Sequence, residues 1–108
     1  MRIKIMFSKK LIYVKVYANH CSNALLFQSE DTSIQPRDIV IVSLHGKEIP
    51  AMVVQVSRKI KNKNINLEFI LRKAGFFERN KLSADVHNRV KNEKLAWIDE
   101  IEYWNAMG

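Results

Sequence analysis

Between Ile39 and Val56 the chain reads IVIVSLHGKEIPAMVVQV, two short runs dominated by β-branched residues on either side of a connection with a single glycine. Branching at Cβ crowds a helical turn and suits a pleated strand, so both runs read as strands. IVIV is apolar at every position, the pattern of a strand covered on both faces. Gly46 supplies the positive φ that a tight reversal needs, and Pro50 restricts the start of the second strand to a sheet edge or a bulge. The hairpin reads as the middle of a small β-barrel.

The flanking sequence supplies the other strands. LIYVKVY alternates, with Ile12, Val14 and Val16 on one face and Tyr13, Lys15 and Tyr17 on the other. Residues 3–7 alternate more briefly, residues 19–23 (NHCSN) are turn chemistry, and residues 24–28 (ALLFQ) form a further strand. After the polar KNKN loop, NLEFIL is expected to turn Leu67, Phe69 and Leu71 inward. Five or six short strands at this spacing predict a mainly β fold, a five- or six-stranded antiparallel barrel or twisted sheet of the OB or SH3 kind.

From Leu82 onward the period becomes helical. Leu82, Val86, Val90, Trp97, Ile101 and Trp104 fall on one arc at about 100° per residue, interrupted by Glu93 and Lys94. The spacing predicts a C-terminal helical segment over 80–106, as one helix with a polar notch or as two, packed on a β-barrel over 1–78. At 108 residues the whole is one domain with one core.

Charge narrows the function. The net charge is +7 and segregated: residues 57–81 hold eight basic side chains against Glu68 and Glu78, while beyond Lys94 there is no basic residue and Asp99, Glu100 and Glu102 make the end acidic. Such a basic body suits a polyanion, because each lysine or arginine set against a phosphate releases counterions. Twelve Lys against six Arg, with abundant Ile and Asn, is also what an AT-rich coding sequence yields. The single cysteine, Cys21, excludes an internal disulfide and fits a reducing compartment. With no apolar run near the roughly 18 residues of a membrane span, and basic residues where a signal peptide would be apolar, the expected location is cytoplasmic.

The string QPRDIVIVSLHGKEIPAMVVQV, followed by INLEFILRKAGFF, resembles the N-terminal DNA-binding domain of the primosomal replication-restart helicase, PriA. That family reads as Pro-Gly-x-x-Val-x-Val-Pro-Phe-Gly, then a Gly-x-Val-Val-x-Val strand, then a strand leading into a helical segment. Pro36, Val40, Val42, Gly46 and Lys47 match the first part, and Val53, Val54 and Val56 the second, within a resemblance over about residues 11–78. It implies a small DNA-binding barrel. Arg37 and Ala51 replace family glycines. Where the family uses a Phe-Asp-Tyr element to hold a 3′ end, this chain has Ala24, Leu25 and Leu26 and no carboxylate.

No catalytic constellation stands out. His20 and Cys21 are adjacent, and on an extended chain adjacent side chains point to opposite faces. His20, His45 and His87 lack short metal-ligand spacing, and one isolated glycine cannot make a phosphate loop. The chain reads as a non-enzyme without a cofactor or metal. In a nucleic-acid reading, Tyr13, Lys15 and Tyr17 form a stacking face for a single strand, preferentially DNA, and Lys47, Arg58, Lys59, Lys61, Lys63, Arg72 and Lys73 hold phosphates. The alternative is a small adaptor or inhibitor, of the sort mobile elements carry, that binds a protein through the barrel edge or through Trp97, Ile101 and Trp104. Neither reading involves a membrane.

Overall fold

The computed structural model describes residues 10–61 and 66–101. Strand β1 (Ile12–Ala18) alternates as its side chains dictate: Ile12, Val14, Val16 and Ala18 are buried, and Tyr13, Lys15 and Tyr17 are half-buried. It pairs antiparallel with β2 (Leu25–Ser29) on one side and with β4 (Lys47–Ser57) on the other. Strand β3 (Ile39–Leu44) joins β4 through His45 and Gly46, whose φ angles of 52° and 78° make a two-residue reversal of the I′ kind. Pro50 faces Ile41 across this hairpin. Counting from the turn, that pair exchanges no hydrogen bonds, so the N–H that proline lacks lies on the side β1 reaches only from Ala51 onward.

Both faces of β4 are covered, and a bulge sets which residue goes where. Lys15 lies opposite Gln55 but Val16 lies opposite Val53, which makes Val54 the extra residue. Ala51, Val53 and Val56 therefore join a first core with Val14, Val16, Phe27, Val40 and Val42, while Met52 and Val54 face a second. Leu82, Val86 and Val90 fill this second core, the last two from helix α2 (Ala84–Lys91). Ser83 caps α2 by accepting the Val86 N–H at 3.3 Å. Asn19, at the end of β1, grips the same corner, donating to the Lys81 carbonyl and accepting the Ser83 N–H, both at 2.8 Å.

Among the described residues the sheet has six strands in the order β2-β1-β4-β3-β5, with β6 on β4. Strand β5 (Arg72–Lys73) pairs antiparallel with β3, and just before it Gln28 of β2 donates its N–H to the Glu68 carbonyl and accepts the Ile70 N–H. Those two bonds set the phase of the segment. Ile70 is buried and Leu67 half-buried, whereas Phe69 and Leu71 are exposed, so over residues 69–71 the inward face is the opposite of the one expected; a one-residue change of phase exchanges the two faces.

The C-terminal part departs most from the helical expectation. A one-turn helix, α1 (Phe76–Arg79), begins at Gly75, whose N–H is accepted by the Glu78 carboxylate at 2.8 Å. Helix α2 stops at Asn92, next to the Glu93–Lys94 notch, and the chain then forms β6 (Ala96–Ile98), parallel to β4. Trp97 is thus a strand residue, not a helical one. β3 pairs with β4 only as far as Met52, and β6 takes up the edge that would otherwise stay open from Gln55 onward. Ile101, also expected on the helix, is buried at a bridge with Ile60. Residues 102–106 of the expected helix, Trp104 among them, lie outside the described residues, as do residues 3–7 and Lys63.

Candidate nucleic-acid interface

Ser57 ends β4 and determines where the next two cations stand. It lies opposite Tyr13 on one side and Ile98 on the other. Its buried hydroxyl accepts the Lys59 N–H at 3.1 Å and lies 2.9 Å from the Lys59 carbonyl and 3.0 Å from that of Asp99, to either of which it donates. The chain is folded back by this bonding, and Arg58 and Lys59 project into solvent between two aromatic residues. Tyr13, Arg58, Lys59 and Asn66 share the wall of a cavity of ≈ 680 Å³. Arg58, Lys59, Trp97 and Asp99 share that of a second, of ≈ 360 Å³. The Arg58 guanidinium lies 5.5 Å from the centroid of the Trp97 ring, and the indole N–H donates to Gln35 Oε1 at 2.8 Å. The ring is thereby held at the surface with 36% of the residue exposed. Glu100 also lines the first cavity and Asp99 the second, and they offset part of the positive charge.

The other residues singled out in the sequence are dispersed. Tyr17 faces the same side of β1 as Tyr13, but the Arg89 guanidinium covers its ring at 4.4 Å, and Arg89 also donates to the carbonyls of Cys21 and Ser22. Burial, reinforced by the carboxylate and hydrogen bond of Glu93, raises the Tyr17 phenol above its usual 10.0. Lys15 lies between the two tyrosines, opposite Leu26 and Gln55. Lys47 is exposed at the far hairpin tip, and Lys61 follows the Ile60–Ile101 bridge, donating its N–H to the Ile101 carbonyl at 2.9 Å. Arg72 pairs with Glu48 at 3.1 Å and with Glu78, and Lys73 pairs with Asp38 at 3.7 Å. The Gly75 N–H, with Arg72 second, holds the Glu78 carboxyl below the usual carboxylate range. Ion-paired in this way, β5 is less free to bind phosphates than its composition promises. Burial at the bridge withdraws Ile101 from any partner surface.

Two features had little signal in the sequence. Phe76 and Phe77 stand 75% and 80% exposed, in edge-to-face contact with centroids 5.5 Å apart. Arg89 joins α2 to the turn after β1, and nothing local marks an arginine for that task. Among the described residues no group of three or more His, Cys, Asp or Glu could hold a metal ion, and no helix is long and apolar enough to cross a membrane. Comparison with protein-family models, with curated proteins and with solved structures finds no match to this chain.

Proposed function

We propose that this chain is a non-catalytic nucleic-acid-binding module that holds a single strand along Tyr13, Lys59, Arg58 and Trp97. The observation that carries the reading is a pair of cations flanked by two rings across the end of β4: Arg58 and Lys59 line both cavities, Tyr13 one and Trp97 the other. A single strand needs this combination, because exposed bases stack on aromatic faces while the backbone requires positive charge at each phosphate. The sheet is taken as a small barrel, since Gln28 bonds from the β2 edge to the segment that runs on into β5. Arg37, at the position where the PriA-type pattern has glycine, adopts φ 80°, which supports that alignment of the Pro36 turn.

The test is a titration of labelled single-stranded and duplex oligonucleotides at low and moderate salt. Tyr13→Ala and Trp97→Ala should weaken the single strand more than the duplex. Arg58→Gln with Lys59→Gln should weaken every sequence and flatten the salt slope by about 0.7 for each single-strand phosphate no longer neutralised. Failure of the wild-type protein to bind any oligonucleotide at low salt would remove the reading.

A protein-binding adaptor or inhibitor remains the second reading, and the exposed Phe76–Phe77 pair is what favours it. Clustered exposed aromatics are the residues on which interface energy concentrates. On that reading Phe76→Ser with Phe77→Ser abolishes capture of the partner and leaves oligonucleotide binding untouched.

A further inference from the structure

The residues 35–38 form a turn that no phosphate-binding reading of the sequence includes. The Asp38 N–H donates to the Gln35 carbonyl at 3.0 Å, and the Asp38 carboxylate accepts the Gln35 N–H at 2.8 Å. With Pro36 second and Arg37 third at φ 80°, it has the form of a type II turn, whose third position is made for glycine. An arginine there strains the backbone, which is held in place by the Arg37 N–H to the Val53 carbonyl and the Val53 N–H to the Asp38 carbonyl, both at 2.8 Å. The side chain is exposed and points to a cavity of ≈ 280 Å³ on the α2 side of the sheet.

Four basic residues from three parts of the chain line that cavity: Arg37, Arg79 from α1, and His87 and Lys91 from α2. No carboxylate lines it. Arg37, Arg79 and Lys91 have no side-chain partner among the described residues, in contrast to Arg72 and Lys73. Its remaining wall is apolar, made by Ile39, Met52, Val90 and Leu95. Cations that repel one another are held around an apolar floor, and an anionic ligand relieves that repulsion.

We infer that this cavity is a phosphate-monoester site, in which Arg37, Arg79 and Lys91 hold the phosphate and the apolar floor receives the body attached to it. A monoester fits better than a backbone diester, because its extra charge and oxygen match a cluster converging from several sides. The source is a free mononucleotide or the terminal phosphate of a strand. The site does not rest on the Tyr13–Trp97 strip, which lies at the end of β4 and shares no lining residue with it.

Arg37→Gly makes a clean test, since it removes the guanidinium and relieves the turn at once. Binding to the full chain is measured by calorimetry with adenosine 5′-monophosphate, adenosine, and an oligonucleotide with and without a 5′-phosphate. Adenosine monophosphate binding over adenosine assigns a free nucleotide, and preference for the 5′-phosphorylated strand alone assigns a strand terminus. In either case Arg37→Gly should melt no lower than the wild type and bind the phosphorylated probe about ten-fold more weakly, as should Arg79→Gln. Arg58→Gln with Lys59→Gln should leave this phosphate preference intact, which separates the site from the strip. No preference for the phosphorylated probes, or one that survives both Arg37→Gly and Arg79→Gln, overturns the proposal.

Discussion

Ser57 has one hydroxyl proton and two carbonyls within reach, and the Lys59 N–H depends on its oxygen. Ser57→Ala leaves the part-buried Lys59 N–H and Asp99 carbonyl without this partner, while the Lys59 carbonyl keeps the Ile101 N–H, so it should cost about 1–3 kcal/mol in urea unfolding. It should also weaken single-strand binding, because the same bonds fold Arg58 and Lys59 outward. The turn offers a change in the opposite direction. His45 holds φ 52° without being glycine, asparagine or aspartate, the residues that an I′ reversal prefers. His45→Asn should therefore stabilise the hairpin by about 0.5–1 kcal/mol, read as a raised melting temperature with unchanged binding. At Gly46 an added Cβ meets nothing within 4 Å, so any cost of Gly46→Ala comes from the backbone and not from crowding.

Helix α2 is too short to be stable alone and is held by what it touches. Its apolar side rests on Met52 and Val54, and its polar side is tied through Asn19 and Arg89 to the two ends of the turn after β1. Val54→Asp buries a carboxylate under the helix at a residue with no exposure, and the expected loss is several kcal/mol out of a total of about 5–15. A cooperative melt at the wild-type temperature would contradict this packing. Tyr17 reports the same contact through its proton. Its folded pKa is raised, so the fold favours the neutral phenol: that contribution is complete below 10.0 and is lost as pH rises through the folded value. Ultraviolet titration should show a tyrosine ionising above 10.0, and Glu93→Gln should bring it down. At the acid end, Glu78 has a lowered pKa, so its support of α1 and Arg72 is present above 4.5 and fades as pH falls through the folded value.

At the scale of the molecule, β4 is the shared wall of two cores and the bulge at Val54 is what allows it to serve both. Val53→Asp and Val54→Asp enter different cores, yet each should abolish the whole near-ultraviolet signal, because neither core has a wall without β4. The excess of positive charge is not spread evenly over this frame. Part is spent in ion pairs on β5, part stands between aromatic rings at the end of β4, and part surrounds the Arg37 cavity without a carboxylate. Glu100→Gln removes an acid from the lining of the Tyr13 cavity. It should strengthen single-strand binding most at low salt, where exposed charges are least screened.

The strands from Ile12 to Val56 were legible in the sequence because a half-buried strand must alternate and a doubly covered one must be apolar throughout, and both rules act within a few residues. The His45–Gly46 reversal was legible at Gly46, since only backbone sterics are involved. The same local rules put helix α2 at Val86 and Val90, just after Leu82, but could not stop its pattern at Asn92. Trp97 and Ile101 continue the helical spacing, and what makes them strand-like is an open edge on β4, distant in sequence, whose backbone groups need partners. Phe69 and Leu71 faced outward for a similar reason: period two gives two equivalent phases, and Gln28 chose between them. Of the candidate site, the sequence showed that cations are abundant. Which of them are paired, which stand beside aromatic rings and which converge on a cavity depended on tertiary structure alone, because a charged side chain on a strand or turn carries no local signal of the partner it will meet.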